Sequence, residues 1–239
     1  MEPEVRERSG AWGTIPWPEF PAMFEERLAA EDFAGRTVLD VGTGEGRLAL
    51  HLAPRAKIVV GIDRDEEALA AAREAARAAG IANATFLAAD ADTANYRLLV
   101  RSPIDHVVAS YFMSEACVRN TAKALRPGGR FLFACHHTDN WRETGQVGRF
   151  AFPPERMEAV LTANGFSVEF LGVDRTIIAY EGLDQLAEAH PMLRKRWGAS
   201  GRWTDFAAKV GSRPFELTWA TLVGVAGFRM TKTGQRTVK

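Results

Sequence analysis

The chain has few of the features that mark disulfide-rich, metal-binding or exported proteins. It contains only two cysteines, Cys117 and Cys135, and neither lies in a CxxC pattern or in a His/Cys cluster with metal-ligand spacing. We therefore expect two reduced thiols in the core and no metal site. The first eight residues are charged and contain no apolar run of the kind a signal peptide requires, so we expect a cytoplasmic protein.

Long hydrophobic runs and an excess of one charge are also missing. The longest apolar stretch, residues 217–228, is far shorter than the roughly 20 residues that a membrane-spanning helix needs, and it is better interpreted as a buried strand. Lysine plus arginine and aspartate plus glutamate number 30 each, so the overall charge does not attract nucleic acid or an anionic membrane. Binding to either would have to depend on a local patch.

What is present is the pattern of one α/β domain. The 239 residues, 46% of them hydrophobic, are enough for a full core. Between residues 33 and 133, short β-branched or apolar runs alternate with longer amphipathic segments, which is typical of βαβ units on a parallel sheet. The predicted strands are residues 37–41, 57–63, 85–89, 104–110 and 130–135; the predicted helices are 46–53, 65–80 (capped by Asp65) and 114–125; residues 126–129 are a predicted turn.

The pattern changes after Trp141. A helix is predicted from Pro153 to about residue 165, followed by two apolar stretches, residues 166–180 and 218–230, which we interpret as final antiparallel strands. Between them lies polar, helical material. The predicted organisation is an N-terminal aromatic and helical lid segment (1–32), a core (33–180), a helical insertion that could cap an acceptor (181–213), and a final strand and tail (214–239).

A glycine-rich turn follows the first of the predicted core strands. Gly42, Gly44 and Gly46 make a GxGxG pattern between a strand and a helix, where glycines allow close backbone approach and the helix start offers unpaired N–H groups. A dinucleotide fingerprint needs GxGxxG, and Arg47 stands where its third glycine would be. The spacing therefore disfavours NAD.

Three aspartates recur at the carboxyl ends of predicted strands: Asp40, Asp63 and Asp90. In open α/β sheets the ligand lies at those ends. A carboxylate at Asp63 could accept hydrogen bonds from two ribose hydroxyls, and Asp90 could accept one from an exocyclic amine. Each aspartate alone could equally be a helix cap or a solvated loop residue.

With these motifs, the chain resembles the class I S-adenosylmethionine (SAM)-dependent methyltransferase family over roughly residues 33–180. Residues 38–46 resemble the loop that holds the methionine moiety, residues 60–63 the ribose motif, residues 89–91 the adenine motif, and residues 105–110 and 125–130 two later motifs. The resemblance implies a Rossmann-like, doubly wound, mostly parallel sheet of seven strands with an antiparallel last strand. It also implies SAM as cofactor, S-adenosylhomocysteine as product, and these cofactor-binding residues: Asp40, Gly42, Thr43, Gly44, Gly46, Asp63, Arg64, Asp90, Ala91 and Ser110.

Residues after the fourth and fifth core strands should face the methyl acceptor, because both strands end at the cofactor edge of the sheet. Tyr111, His136 and His137 are the catalytic candidates. Histidine titrates near neutral pH, so either histidine could act as a base with Asp139 nearby, although a structural role is equally open. Adjacent strand residues point in different directions, which disfavours a metal site made by the two histidines.

The acceptor is predicted to be a small molecule. Many amino-group methyltransferases that act on nucleic acids or proteins carry an Asn/Asp-Pro-Pro-aromatic tetrad after the fourth strand, whereas this chain has Ser110, Tyr111, Phe112 and Met113. The alternatives are an RNA or protein methyltransferase that docks through basic residues of the insertion (Arg194, Lys195, Arg196, Arg202 and Arg213) and a non-catalytic binding protein.

Two further points stay open in the sequence. The N-terminal aromatic and proline residues could form a lid or simply pack on the sheet; they are Trp12, Pro16, Trp17, Pro18, Phe20 and Pro21. The oligomeric state could be monomer or homodimer.

Overall fold

The computed structural model describes residues 4–11, 20–148 and 150–229, with the side chains of 6–11, 191, 192 and 196 outside that description. Its strands are β1 (Glu4–Ala11), β2 (Thr37–Val41), β3 (Ile58–Asp63), β4 (Ala84–Ala88), β5 (Ile104–Ser110), β6 (Leu125–His136), β7 (Phe166–Tyr180) and β8 (Phe215–Phe228). Its α-helices are α1 (Ala22–Ala30), α2 (Arg47–Leu52), α3 (Glu66–Ala78), α4 (Tyr96–Leu99), α5 (Glu115–Ala124), α6 (Pro154–Ala163), α7 (Leu183–Ala189), α8 (Pro191–Ala199) and α9 (Arg202–Val210). Short 3₁₀ turns occupy Ala53–Arg55 and Arg142–Thr144.

All eight strands form one sheet in the order β1-β7-β8-β6-β5-β2-β3-β4. The pairs from β4 to β6 are parallel, and β8 runs antiparallel to both β6 and β7. The Rossmann-like prediction and the antiparallel last strand are confirmed. Among the described helices, none combines the length and apolarity needed to cross a bilayer.

The predicted number of strands, seven, is wrong by one. The extra strand, β1, pairs in parallel with β7 at the edge of the sheet, from Glu4 opposite Gly172 to Ala11 opposite Ala179. Its sequence, EVRERSGA, has no apolar run, so hydrophobic patterning did not reveal it. Backbone hydrogen bonds to an open sheet edge need no particular side chains, and only the tertiary structure supplies that edge.

The turn predicted at residues 126–129 lies inside β6 rather than before it. Ile104 pairs with Leu125 and His106 with Arg130, so four residues of β6 bulge out opposite one residue of β5. Gly128 has φ +76, a left-handed conformation that suits glycine. The turn residues were identified correctly, and the strand simply continues through the bulge.

Three hydrophobic cores hold the elements together. One lies on the sheet face covered by α5 and α6, and it contains both cysteines, which are free and buried as predicted. A second lies on the opposite face beneath α1, α2 and α3. The third belongs to the insertion, where Leu193, Trp197 and Phe206 from α8 and α9 pack on the far ends of β7 and β8. The insertion is therefore anchored on the sheet by its own core.

Candidate cofactor and acceptor site

The turn between β2 and α2 has a shape that only glycine permits at two positions. Gly42 and Gly46 have φ +72 and +80. A Cβ on Gly42 would lie 2.5 Å from the Cβ of Phe112, and one on Gly46 would lie 2.9 Å from the Cβ of Ala72. Gly44 also has a positive φ, but a Cβ there would meet no atom of the described residues within 4 Å. The turn is thus packed tightly on the protein side and open above Gly44.

Asp40 lies beneath this turn with almost no exposure to solvent. Its Oδ2 accepts a 2.6 Å hydrogen bond from the Thr43 hydroxyl, while its buried Oδ1 has no hydrogen bond of normal geometry from any described residue; the Ala49 N–H of α2 acts on the carboxyl and lowers its pKa. Burial raises the pKa of Asp40 to about 7, against the lowering effect of the Thr43 hydrogen bond. A buried acceptor atom without a donor is uncommon in folded proteins, and here it lies under the predicted cofactor loop.

Asp63 ends β3 beside the same turn. Its Oδ2 accepts from the Gly44 N–H at 2.8 Å and its Oδ1 from the Asp65 N–H at 3.0 Å. A carboxylate can accept about four hydrogen bonds, so each oxygen keeps capacity for one more donor. The neighbouring Arg64 side chain is exposed.

The segment after β4 is fixed by residues that the sequence analysis did not select. Ala91 is buried, and its carbonyl oxygen accepts from the Tyr96 hydroxyl at 2.8 Å and from Asn120 Nδ2 at 3.0 Å. Asp90 is exposed, and its Oδ1 accepts from the Asp92 N–H at 2.8 Å. Because Tyr96 and Asn120 approach from α4 and α5, only the tertiary structure shows that they hold this segment.

Beyond β5 the chain turns sharply. Tyr111 has φ +58, a strained conformation for a bulky residue, and its N–H donates to the carbonyl oxygen of Ala134 at 2.7 Å. Burial raises the pKa of the Tyr111 phenol, with the Thr221 hydrogen bond and the Arg47 charge acting the other way. The preceding Ser110 has a buried hydroxyl oxygen without a hydrogen-bond partner.

The two candidate histidines lie in different surroundings. The His136 ring is 5.4 Å from the Tyr111 ring and 5.8 Å from the Trp141 ring, measured between centroids. His137 is buried elsewhere: its Nδ1 accepts from the Asp139 N–H at 3.0 Å, and Asp139 Oδ2 pairs with Arg175. Burial lowers the pKa of His137. The structure therefore brings together Tyr111 and His136, but not His137.

Asp174 is a buried carboxylate that the sequence analysis missed. It is 4% exposed, its Oδ2 accepts from the Met23 N–H at 3.1 Å, and it pairs with Thr221 of β8, which also pairs with His136. Its charge also acts on Tyr111. The feature of the sequence that could have indicated it is a single aspartate within the apolar stretch that forms β7. Its closeness to Tyr111 and His136 depends on strand order.

The N-terminal aromatic cluster is only partly described. Phe20 is fully buried, contacts Phe24 and His51, and lies beneath the Arg47 guanidinium. Phe20 therefore belongs to the core. The lid predicted from Trp12, Pro16, Trp17 and Pro18 falls outside the described residues and stays a prediction.

The basic residues of the insertion do not form a single surface. Arg194, Lys195 and Arg213 are exposed, with Arg194 lying over Trp203, whereas Arg202 is buried. No group of three or more His, Cys, Asp or Glu side chains is placed to hold a metal ion in the described part of the chain.

Comparison with known proteins identifies the family. Residues 32–165 match the family model described as a methyltransferase domain. Over 128 residues the chain is 39% identical to ribosomal protein L11 methyltransferase of Azotobacter vinelandii, covering 52% of this chain but 41% of that protein. It is 28% identical over 178 residues to ubiquinone biosynthesis O-methyltransferase of Rhizobium johnstonii, covering 65% of this chain and 68% of that protein.

The fold has close counterparts among solved structures. The YcgJ protein of Bacillus subtilis superimposes with a TM-score of 0.64 at 18% identity, covering 87% of this chain and 97% of that one. The chain spans less than half the length of the L11 methyltransferase it matches. The family match nevertheless covers more than half of this chain. The chain therefore belongs to the methyltransferase-domain family, the class I SAM-dependent methyltransferases with a Rossmann-like fold.

Proposed function

We propose that this protein transfers a methyl group from SAM to a small-molecule acceptor. One observation carries the proposal: no described residue lies within 4 Å of a Cβ built on Gly44, and Asp40, lying under this turn, holds a buried acceptor atom to which no described residue donates with normal geometry. Asp63 and Asp90 follow the two neighbouring strands at the same edge of the sheet. This is the edge at which open α/β sheets bind ligands.

The residues at this edge fit SAM group by group. The turn from Gly42 to Gly46 would hold the methionine moiety, with Asp40 and Thr43 beneath it. Asp63 would accept from the two ribose hydroxyls, because each of its oxygens has one protein donor and room for a second. Asp90 would accept from the adenine amine, with the Ala91 backbone beside the ring. Ser110 and Arg64 would complete the site.

When bound, SAM supplies an electrophilic methyl group on a sulfonium centre. The protein then has to align the acceptor and exclude water. A phenol is protonated at neutral pH and burial raises the pKa of Tyr111 further, so its hydroxyl is the hydrogen-bond donor that would position the acceptor. His136, whose ring contacts the Tyr111 ring, is the base candidate that lies nearer to Tyr111. His137 already uses Nδ1 to accept from the Asp139 N–H.

Three features favour a small acceptor. The net charge is zero, the Asn/Asp-Pro-Pro-aromatic tetrad is absent after β5, and the Tyr111 ring is followed by the aromatic rings of His136 and Trp141. Aromatic walls with a few polar groups are typical of small-molecule sites. The related ubiquinone biosynthesis O-methyltransferase also bears the name of a small-molecule enzyme.

Calorimetry with S-adenosylhomocysteine tests the cofactor site. Asp63→Asn keeps the side-chain shape but removes the charge, and it should weaken binding at least tenfold, since charge-assisted hydrogen bonds are each worth about 1.5–3 kcal/mol. Glu67→Gln, an exposed residue in the first turn of α3, is the matched control and should bind like the wild type. Equal affinities for both variants, or no binding by the wild type, would contradict the proposal.

A second candidate function is methylation of a protein, favoured by the 39% identity to an enzyme named for a ribosomal protein. Radiolabelled SAM incubated with ribosomal proteins, and separately with a panel of phenols, amines and thiols, separates the two. Label on a small molecule alone supports the main proposal. Label on a protein alone replaces it.

A further inference from the structure

Arg202, the first residue of α9, is a buried cation without a carboxylate partner. It is 8% exposed, and no salt bridge joins it to any acidic side chain in the described part of the chain. Among the described residues its one hydrogen bond runs from Nη2 to the carbonyl oxygen of Gln146, and none of them offers an acceptor to its buried Nε. Buried charges in proteins are normally paired, so this position lacks a counter-ion.

Two tryptophans beside Arg202 also have buried N–H groups for which no described residue supplies an acceptor. The guanidinium carbon lies 5.8 Å from the Trp141 ring centroid and 5.2 Å from that of Trp197, and the two rings are 5.3 Å apart. Both indole Nε1 atoms are buried without an acceptor. The two rings stabilise the guanidinium through cation–π contacts. Arginine and tryptophan side chains can only donate hydrogen bonds, however, so these three residues, here called the donor cluster, cannot accept one another's N–H groups.

The donor cluster adjoins the acceptor side of the proposed site. Trp141 is the link: its ring contacts the His136 ring, which contacts Tyr111. Trp141 itself has φ +58, and its N–H donates to the carbonyl oxygen of Thr218 at 2.7 Å. The row of contacting rings from Tyr111 through His136 to Trp141 therefore places the donor cluster next to the acceptor side.

We propose that the donor cluster binds a carboxylate of the methyl acceptor, which makes the acceptor a planar, aromatic carboxylic acid. This inference rests on the proposed function. One guanidinium supplies one positive charge in a fork that suits a carboxylate, and two indole N–H groups supply further donors. The flat walls of Trp141 and His136 suit a planar body.

A phosphate is a poorer fit than a carboxylate. A dianion would require a second cation, but the other cations near the insertion are engaged or exposed: Lys209 Nζ donates to the carbonyl oxygen of Glu143, and Arg194 lies over Trp203 at the surface. Burial lowers the pKa of Arg202, and an anion in contact with it would oppose that effect. Because the three donors are buried, a ligand must part α9 from the 3₁₀ turn at Arg142–Thr144 as it enters.

Binding of simple probes tests the inference. Benzoate and indole-3-acetate are titrated into the wild type by calorimetry, with their neutral amides and phenyl phosphate as comparisons. Arg202→Gln should weaken binding of both carboxylates at least tenfold. Arg194→Gln removes an equal charge from the same insertion and should leave binding unchanged. Trp141→Phe keeps a ring but removes one N–H, and it should weaken binding severalfold.

The inference would be overturned if neither carboxylate bound to the wild type, or if the amides bound as tightly as the acids. It would also be overturned if phenyl phosphate bound more tightly than benzoate. Equal affinities of the Arg202→Gln and Arg194→Gln variants for the carboxylates would overturn it as well. If Arg202 had only a structural role, Arg202→Gln would lower the thermal midpoint of unfolding and weaken the binding of acids and amides alike. An effect confined to the acids identifies the anion site.

The cofactor proposal is tested separately by the same proteins. Arg202→Gln should bind S-adenosylhomocysteine like the wild type, and Asp63→Asn should still bind benzoate. Loss of cofactor binding with benzoate binding intact would defeat the methyltransferase proposal but leave the anion site in place. The reverse result would defeat only the carboxylate inference.

Discussion

Replacing Asp40 by asparagine should change the free energy of unfolding by an amount that becomes more favourable as the pH rises. Asp40 is 1% exposed, and burial raises the pKa of its carboxyl from 3.8 to about 7, although the Thr43 hydroxyl lowers it. Between these two pH values the unfolded chain has released the proton that the native protein retains. Wild-type stability therefore falls as the pH rises, by about 1.36 kcal/mol per pH unit.

The total loss of wild-type stability is set by the pKa values of Asp40 in the unfolded and the native protein. Below pH 3.8 both states are protonated and Asp40 contributes nothing; above pH 7 both are ionised and the loss is complete, at about 4 kcal/mol. The asparagine side chain carries no titrating proton, so Asp40→Asn avoids this loss. The free energy of unfolding of Asp40→Asn minus that of the wild type should thus rise by a few kcal/mol from pH 4 to pH 7 and then level off.

Urea denaturation of both proteins at pH 4, 5.5, 7 and 8.5 measures this difference, in which all other titrating groups cancel. A difference that does not change with pH, or that falls as the pH rises, would refute the reasoning. Calorimetry at pH 8.5, above the pKa of Asp40, should also show weaker binding of S-adenosylhomocysteine by Asp40→Asn, because a carboxylate under the cofactor loop has been removed. Stability that improves relative to the wild type as the pH rises, together with weaker binding, is the pattern expected of a residue retained for ligand binding.

Asp105 supplies a control of opposite sign. Burial tends to raise its pKa, but the Thr37 N–H and the Arg126 guanidinium together lower the pKa below its usual 3.8. The stabilisation is therefore present above that value and is lost as the pH falls through the lower, native pKa. Asp105→Asn should destabilise the protein at pH 5 and above, and the difference in the free energy of unfolding from the wild type should become smaller below pH 4.

The remaining predictions concern the glycine turn and its hydrogen bond. Gly46→Ala should lower the free energy of unfolding by about 2–4 kcal/mol, because Gly46 has a positive φ and the added Cβ would lie 2.9 Å from Phe86. Gly80→Ala is the control, with φ +67 but open space among the described residues, and it should lower the free energy of unfolding by about 1 kcal/mol. Equal losses for the two variants in urea denaturation would contradict the packing argument. Thr43→Val removes the hydrogen bond to Asp40, so the pKa of Asp40 should rise further. The fall in the free energy of unfolding with pH should therefore end at a higher pH than in the wild type. An unchanged pH dependence would show that the hydrogen bond is not made.

Elements set by neighbouring residues were predictable from the sequence. Asp65 accepts from the N–H groups of Glu67 and Ala68 and begins α3 as predicted, and Gly80, with φ +67, follows its end. Ser114 likewise caps α5, through a hydrogen bond from the Cys117 N–H. Caps, breakers and apolar periodicity act within a few residues, so they can be found without knowledge of the fold.

The sequence by itself determined the family, the glycine turn and the edge of the sheet at which the cofactor is proposed to bind. Only the tertiary structure decided that His136 rather than His137 lies against Tyr111, that Asp174 is buried beside them, and that Arg202 is buried between two tryptophans. Most of these contacts join residues that are far apart in the chain. Strand order and the docking of the insertion fix such contacts, and neither follows from any local pattern of residues.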